Sequence, residues 1–275
     1  MTNLDKLYSI REGIPKIVKK MIPRFIRQKI NKIFFKYYFL PTNLKNLPQL
    51  NYPVYGNYEY QKNLIRIFNE KRRQTSFMTC PHLLELLLMK FKNYENLNFL
   101  DIGGEKIDFY LDLKKNFKNA KYFLFNQKSI TDSFHEIQKE YNFDDFFVID
   151  DLPKIFEKKY DFVNFGSCIH YINNYEELLQ KISEVSKYIF FSGTHLYDSD
   201  NEIFKKNMVV KQVNTLPKIN YNFFYNRKTF FEIFEKKDFE LIFESLNLTD
   251  MVNYENFNSN IKNIQYSDFL FSKKF

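Results

Sequence analysis

The stretch Asn96-Leu97-Asn98-Phe99-Leu100-Asp101-Ile102-Gly103-Gly104 sets the reading of this 275-residue chain. An apolar run closing on an acidic residue and a glycine pair is how a strand feeding a nucleotide-binding loop begins, because glycine permits both the sharp bend and close backbone approach. The residues that follow, Glu105-Lys106-Ile107-Asp108, lack the further glycines of the full pattern. Two more glycines stand at the ends of apolar runs, Gly166 after 162–165 and Gly193 after 188–192. Four of the six glycines therefore mark three predicted strand ends.

Outward from this stretch, strand and helix alternate. Short apolar runs predict strands at 98–102, 122–125, 146–149, 161–165 and 188–191, and helical spacing predicts helices near 106–117, 132–141, 154–157 and 175–185. Such alternation implies right-handed crossovers and a parallel sheet with helices on both faces. A helix at 227–236 and strands at 239–246 and 265–271 follow, the last two joined without a helix and so expected as an antiparallel pair at the sheet edge. Upstream, 58–73 and 81–91 read as helices capping one side of the sheet. The predicted class is α/β: a Rossmann-like seven-stranded sheet, mostly parallel with an antiparallel C-terminal edge strand, helices on both faces, and an N-terminal helical extension. Pro41, Pro48, Pro53 and Gly56 mark a linker, dividing the chain into an extension over 1–56 and a domain over 57–275, itself a helical cap at 57–95 and a core at 96–275.

Charge is uneven. Residues 1–50 carry eleven lysines and arginines against Asp5 and Glu12, a net +9, while the whole chain carries +8, so the body is close to neutral. A basic arm on a neutral body points to an anionic surface rather than to nucleic acid, and no interleaved stacking motif argues for RNA. Apolar residues recur at helical spacing from 14 to 40 with lysines and arginines between them. Such a stretch can lie in a membrane interface, or pack on its own domain or a second subunit. No apolar run reaches the roughly 20 residues that span a bilayer, and no signal-peptide core is seen, so the expected place is the cytoplasm, with a peripheral position on the inner membrane through residues 14–40. Cys80 and Cys168 form no metal-binding or disulfide pattern, and no metal is expected.

The ordered strands, with Leu100-Asp101-Ile102-Gly103-Gly104, Phe147-Val148-Ile149-Asp150-Asp151, Tyr160-Asp161-Phe162-Val163 and Cys168-Ile169-His170-Tyr171-Ile172, resemble the class I S-adenosylmethionine-dependent methyltransferase fold over residues 96–275. More narrowly, the basic N-terminal helix, Gly56-Asn57-Tyr58, and the stretch from Val210 to Tyr225 are similar to methyltransferases encoded among bacterial surface-polysaccharide genes. The resemblance implies S-adenosylmethionine as cofactor and a small-molecule or glycan-linked acceptor. It places Asp101, Gly103 and Gly104 under the methionine part, Asn126 and Gln127 where an acidic residue normally meets the ribose hydroxyls, Asp150 at the adenine, and Gly166 and Ser167 in the same site.

Methyl transfer to a hydroxyl or amine needs a proton acceptor, and His has a suitable unperturbed pKa of about 6.5. His170, with Tyr171 beside it, and His195 stand just past strand ends that this topology turns toward one crevice, and are the catalytic candidates. Packing of the rim is the alternative, since methyl transfer can proceed by alignment. His82 and His135 lie in helical contexts and read as structural. The Asn-, Lys- and aromatic-rich stretch 196–225 interrupts the alternation and reads as a lid, with Tyr221, Phe223, Phe224 and Tyr225 either stacking on an acceptor or closing the domain. A non-catalytic relative, keeping the fold as an interaction or membrane-scaffold module, is the other functional class the incomplete glycine loop leaves open.

Overall fold

The computed structural model describes residues 37–48, 58–71, 81–92, 94–212, 220–246, 252–253, 257 and 261–274. In chain order its elements are β1 (Tyr37–Pro41), α1 (Tyr58–Lys71), α2 (Pro81–Phe91), β2 (Asn98–Ile102), α3 (Ile107–Asn116), β3 (Lys121–Phe125), α4 (Lys128–Tyr141), β4 (Phe146–Ile149), α5 (Leu152–Ile155), β5 (Tyr160–Gly166), α6 (Tyr175–Val185), β6 (Ser186–Asp198), β7 (Asn207–Gln212), β8 (Asn220–Asn226), α7 (Arg227–Glu235), β9 (Phe239–Leu246), β10 (Val252–Asn253) and β11 (Lys262–Lys273). Packing separates two units. The larger holds the described residues of 58–194, 231–246 and 267–274, and the smaller those of 37–48, 195–230 and 252–266. The chain passes from the smaller unit to the larger between residues 48 and 58, where the prolines mark the linker, and the smaller unit also takes in 195–230 and the described residues of 252–266.

The larger unit's sheet runs β4-β3-β2-β5-β6-β11-β9. Its first five strands pair in parallel, and β11 pairs antiparallel with β9. The antiparallel pair is at the edge as expected, with β9 outermost and β11 inside it. From β2 the chain winds outward to β3 and β4, then returns to the other side of β2 with β5. Strand order thus reverses between β2 and β5, which opens a crevice at their carboxyl ends because crossovers leave in opposite directions there.

The aromatic-rich sequence builds this sheet through register. Phe99 faces Tyr122 on β3 and Phe162 on β5, and Tyr122 faces Phe146 on β4. The four rings stack across four strands at centroid separations of 5.4–5.7 Å and interplanar angles of 8–10°. Each such pair contributes about 0.5–1.5 kcal/mol beyond area burial. Ile65 of α1, Leu83, Leu86, Leu87 and Phe91 of α2, and Leu113 of α3 close over that ladder. On the opposite face Phe191 stacks with Phe165 and meets Phe234 of α7. Both faces are covered, which is why these strands read as unbroken apolar runs.

The smaller unit departs from the sequence reading in two places. The segment expected to continue as helix to residue 40 forms β1 instead, pairing antiparallel with β7 through Phe39↔Gln212 and Leu40↔Lys211. Its consecutive aromatic residues, closed by Pro41, favour extended chain. The rest of the 14–40 stretch lies outside the described residues. The presumed lid contains the hairpin-like pair β7 and β8, in register from Asn207↔Tyr225 to Gln212↔Asn220. Phe223, Phe224 and Tyr225 are buried there, so these rings form core rather than a surface for stacking on an acceptor.

Candidate functional site

A cavity of about 300 Å³ lies at the strand-order reversal of the larger unit. Asp101, Gly103, Gly104, Glu105 and Lys106 wall it from the end of β2, Phe109 from α3, and Asn164, Gly166, Ser167, Cys168 and Tyr171 from β5 and the turn beyond. The loop leaving β2 turns at Gly103, whose φ is +81°, a conformation that favours glycine. Its N–H donates to the Phe125 carbonyl at 2.8 Å. A Cβ on Gly103 would collide with the Cys168 Cβ and stand 2.7 Å from its Sγ, and one on Gly104 would collide with Asp101 Oδ2 and stand 2.8 Å from Leu124 Cδ1. The glycine pair is therefore demanded by packing against this chain's own residues. Gly166 differs, since a Cβ there would meet only Asn164 Nδ2, at 3.3 Å.

Asp101 is the buried charge of the site, only 3% exposed. The Tyr122 hydroxyl donates to its Oδ2, and Asn164 Nδ2 donates to its Oδ1 at 2.8 Å. Burial outweighs both bonds and pushes its carboxyl up to about 6. Burial, reinforced by the Asp101 charge, pushes the Cys168 thiol well above its ordinary range, and its Sγ donates to the Ile102 carbonyl at 3.0 Å. Cys168 is a wall here, not a nucleophile.

The structure brings Asp101, Gly103, Gly104, Gly166, Ser167 and Tyr171 to one cavity. Ser167, in a left-handed conformation at φ +54°, is tied to β6 by its N–H donating to the Ser192 carbonyl at 3.0 Å. Asn126 does not line the cavity: its Nδ2 donates to the Gly104 carbonyl at 2.8 Å and its Oδ1 accepts the Gln127 N–H at 2.7 Å. That side chain pins the loop. Gln127 is exposed and precedes α4. Asp150 is also away from the wall, half-exposed and paired with His135 Nε2 at 2.9 Å.

The two histidines expected as proton acceptors are both buried and neither lines the cavity. Burial holds the His170 imidazole down at about 3, so at neutral pH it is uncharged but a poor proton acceptor. His195 belongs to the smaller unit, where its ring stacks on Phe224 at 4.2 Å and meets Phe39 and Tyr266. Aromatic packing accounts for its position. Tyr171, 37% exposed, is the catalytic candidate that reaches the cavity.

Three contributors were not read from the sequence: Gln61, Tyr122 and Asn164. Gln61 on α1 is fully buried and clamps the loop, donating from Nε2 to the Glu105 carbonyl at 2.7 Å and accepting the Ile107 N–H at Oε1, 2.8 Å. It thereby caps α3, whose own N-cap residue Lys106 makes no side-chain cap bond. A polar residue within the apolar run of β5 was the available signal for Asn164.

No family model matches this chain, and no curated protein matches it. Among solved structures it is similar to an S-adenosylmethionine-dependent methyltransferase from Clostridium acetobutylicum ATCC 824, with 8% identity over 78% of this chain and 99% of that one and a TM-score of 0.47. It is also similar to the 1,6-didemethyltoxoflavin-N1-methyltransferase of Burkholderia thailandensis, at 10% identity over 86% and 100%, TM-score 0.48. The magnesium protoporphyrin IX methyltransferase of Synechocystis PCC 6803 has 11% identity over 94% and 96%, TM-score 0.45.

Proposed function

We propose that this chain is an S-adenosylmethionine-dependent methyltransferase acting on a small-molecule or glycan-linked acceptor. The observation that carries the reading is the cavity itself, set where strand order reverses between β2 and β5 and walled by a buried carboxylate and a glycine-turned loop. When bound, S-adenosylmethionine supplies a methyl group on a positively charged sulfonium. The residues present suit it: Asp101 offers negative charge, Gly166 leaves the wall open, and the volume is at the lower end of the range for ligand sites.

This chain's residues then act by binding and orientation. Gln61 and Asn126 fix the loop from two sides, so its backbone is pre-set before a ligand arrives. Phe109 and Cys168 form water-excluding wall. Tyr171 supplies a hydroxyl that can hold an acceptor by a hydrogen bond. With His170 so weakly basic, the rate rests on alignment rather than on that imidazole.

A non-catalytic relative is the second reading, and Asn126 favours it: the residue expected at the ribose hydroxyls has its amide engaged by Gly104 and Gln127. Calorimetric titration with S-adenosylhomocysteine separates the two. Saturable binding is the expected result, and no heat up to millimolar ligand would overturn the enzymatic reading.

The proposal extends to surface-polysaccharide biosynthesis at the inner membrane, supported by the sequence resemblance and by the +9 charge of residues 1–50. Liposomes containing anionic lipid should retain the full chain but not one lacking residues 1–36, which leaves β1 in place, and less so at high salt. Equal retention of both chains would refute the membrane role.

A further inference from the structure

We infer that a second cavity, at the amino-terminal edge of the larger unit's parallel strands, binds a phosphate dianion, free or as the monoester of a small metabolite. It lies where β2, β5 and β6 begin and the antiparallel β11 ends, and it shares no lining residue with the crevice at the opposite edge. The inference therefore stands apart from the methyltransferase reading.

The cavity measures about 320 Å³, and three lysines from separate segments border it: Lys159 ahead of β5, Lys187 on β6 and Lys273 at the end of β11. Lys187 Nζ pairs with Asp161 Oδ1 at 2.7 Å, and Asp161 Oδ2 accepts the Asn98 N–H at 2.9 Å, so this ammonium is held in place from β2. Lys159 Nζ donates to the Glu184 carbonyl at 2.8 Å and Lys273 Nζ to the Ser183 carbonyl at 3.4 Å, both in the last turn of α6. The Glu184 carboxylate pairs with Lys237 at 2.8 Å. Capping of the helix end accounts for one donor on Lys159 and one on Lys273, whereas an ammonium carries three. The charges do not balance either. These four lysines meet two carboxylates and a helix C-terminus worth about half a charge, which leaves a surplus of about one and a half positive charges. Ammonium groups drawn onto neighbouring carbonyls repel one another, and a bound dianion offsets that repulsion. Among the described residues lining the cavity there is no arginine. The guanidinium fork matches a planar carboxylate, while several mobile ammonium groups suit the tetrahedral oxygens of a phosphate. The volume accommodates a phosphate with a small ester group.

The test is calorimetric titration of the full chain with inorganic phosphate and, separately, with glycerol 3-phosphate, each against sodium chloride of equal ionic strength. Both should bind saturably. Tighter binding of glycerol 3-phosphate identifies the monoester as the ligand and equal or weaker binding identifies free phosphate, and either result supports the site. Because the basic residues 1–50 also attract anions, variants decide where the phosphate sits. Lys159→Gln and Lys273→Gln each keep a donor for the α6 carbonyl and remove the charge, so each should weaken phosphate binding about tenfold. Lys139→Gln, an exposed position on α4 away from the cavity, should leave the affinity unchanged. Should Lys273→Gln fail to fold, Lys159→Gln, at an exposed position, decides. Absence of saturable binding, affinity unchanged in the cavity variants that fold, or an equal loss in Lys139→Gln would overturn the inference. S-adenosylhomocysteine binding should be the same in Lys159→Gln as in the parent, so the failure of one site leaves the reading of the other standing.

Discussion

Gly103, Gly104 and Gly166 are one residue type with two physical roles. At Gly104 a Cβ would collide with Asp101, so Gly104→Ala forces the loop or the carboxylate to move and should cost about 1–3 kcal/mol or more in chemical denaturation. Gly166→Ala meets only the Asn164 amide and should leave the denaturation midpoint nearly unchanged while weakening S-adenosylhomocysteine binding, because the new methyl enters the cavity. Equal effects of the two substitutions on stability would contradict this division. Asp101 adds a pH signature. Its folded-state pKa is raised to about 6 from 3.8, so the stability it contributes is complete below about pH 4 and is lost as pH rises through 6 in the ligand-free protein. Asp101→Asn should accordingly gain stability over the parent between pH 5 and 8, approaching about 3 kcal/mol at the upper end, with little gain near pH 4. A difference that stays constant across that range would show that ionisation of Asp101 is not its source.

At the scale of elements, legibility followed the source of the signal. The strands over 98–102, 146–149 and 239–246 and the helix over 175–185 were read with the bounds observed, because an unbroken apolar run or a 3.6-residue spacing is a local property. β7 and β8 were not readable as strands: their Asn- and Lys-interrupted sequence becomes mostly buried sheet through pairing with each other, with β1 and with the end of β6. The clamp made by Gln61 and the bond from Asn164 to Asp101 join residues 44 to 63 positions apart, which no local pattern encodes. Gln61→Leu keeps the volume but strips partners from the Glu105 carbonyl and Ile107 N–H, and should cost about 1–3 kcal/mol for each group left buried and unbonded. The aromatic ladder predicts a larger effect. Phe99 sits between Tyr122 and Phe162, and Phe99→Ala should destabilise by about 3–5 kcal/mol, read as a lower denaturant midpoint.

For the molecule as a whole, the sequence's alternation of strand and helix foretold a parallel sheet, and the order of those strands, which alternation alone does not fix, decides where a ligand belongs. Asp101, Gly103, Gly104, Gly166 and Ser167 come together because β2 and β5 are neighbours on opposite sides of that reversal. Asn126, Asp150, His170 and His195 were expected at the same crevice, and none lines it: Asn126 bonds the Gly104 carbonyl from behind the loop, Asp150 pairs with His135, His170 is buried against the Tyr171 ring, and His195 stacks on Phe224. Proximity along the chain to a strand end is a weaker guide than the direction in which the side chain leaves it. The proposed function requires that the cavity over β2 and β5 be a cofactor site. A crystal structure of the full chain grown with saturating S-adenosylhomocysteine tests it most directly. The predicted result is ligand density against Gly104, Gly166 and Ser167 with its ammonium toward Asp101; density at another place, or an empty cavity at saturating ligand, would contradict it.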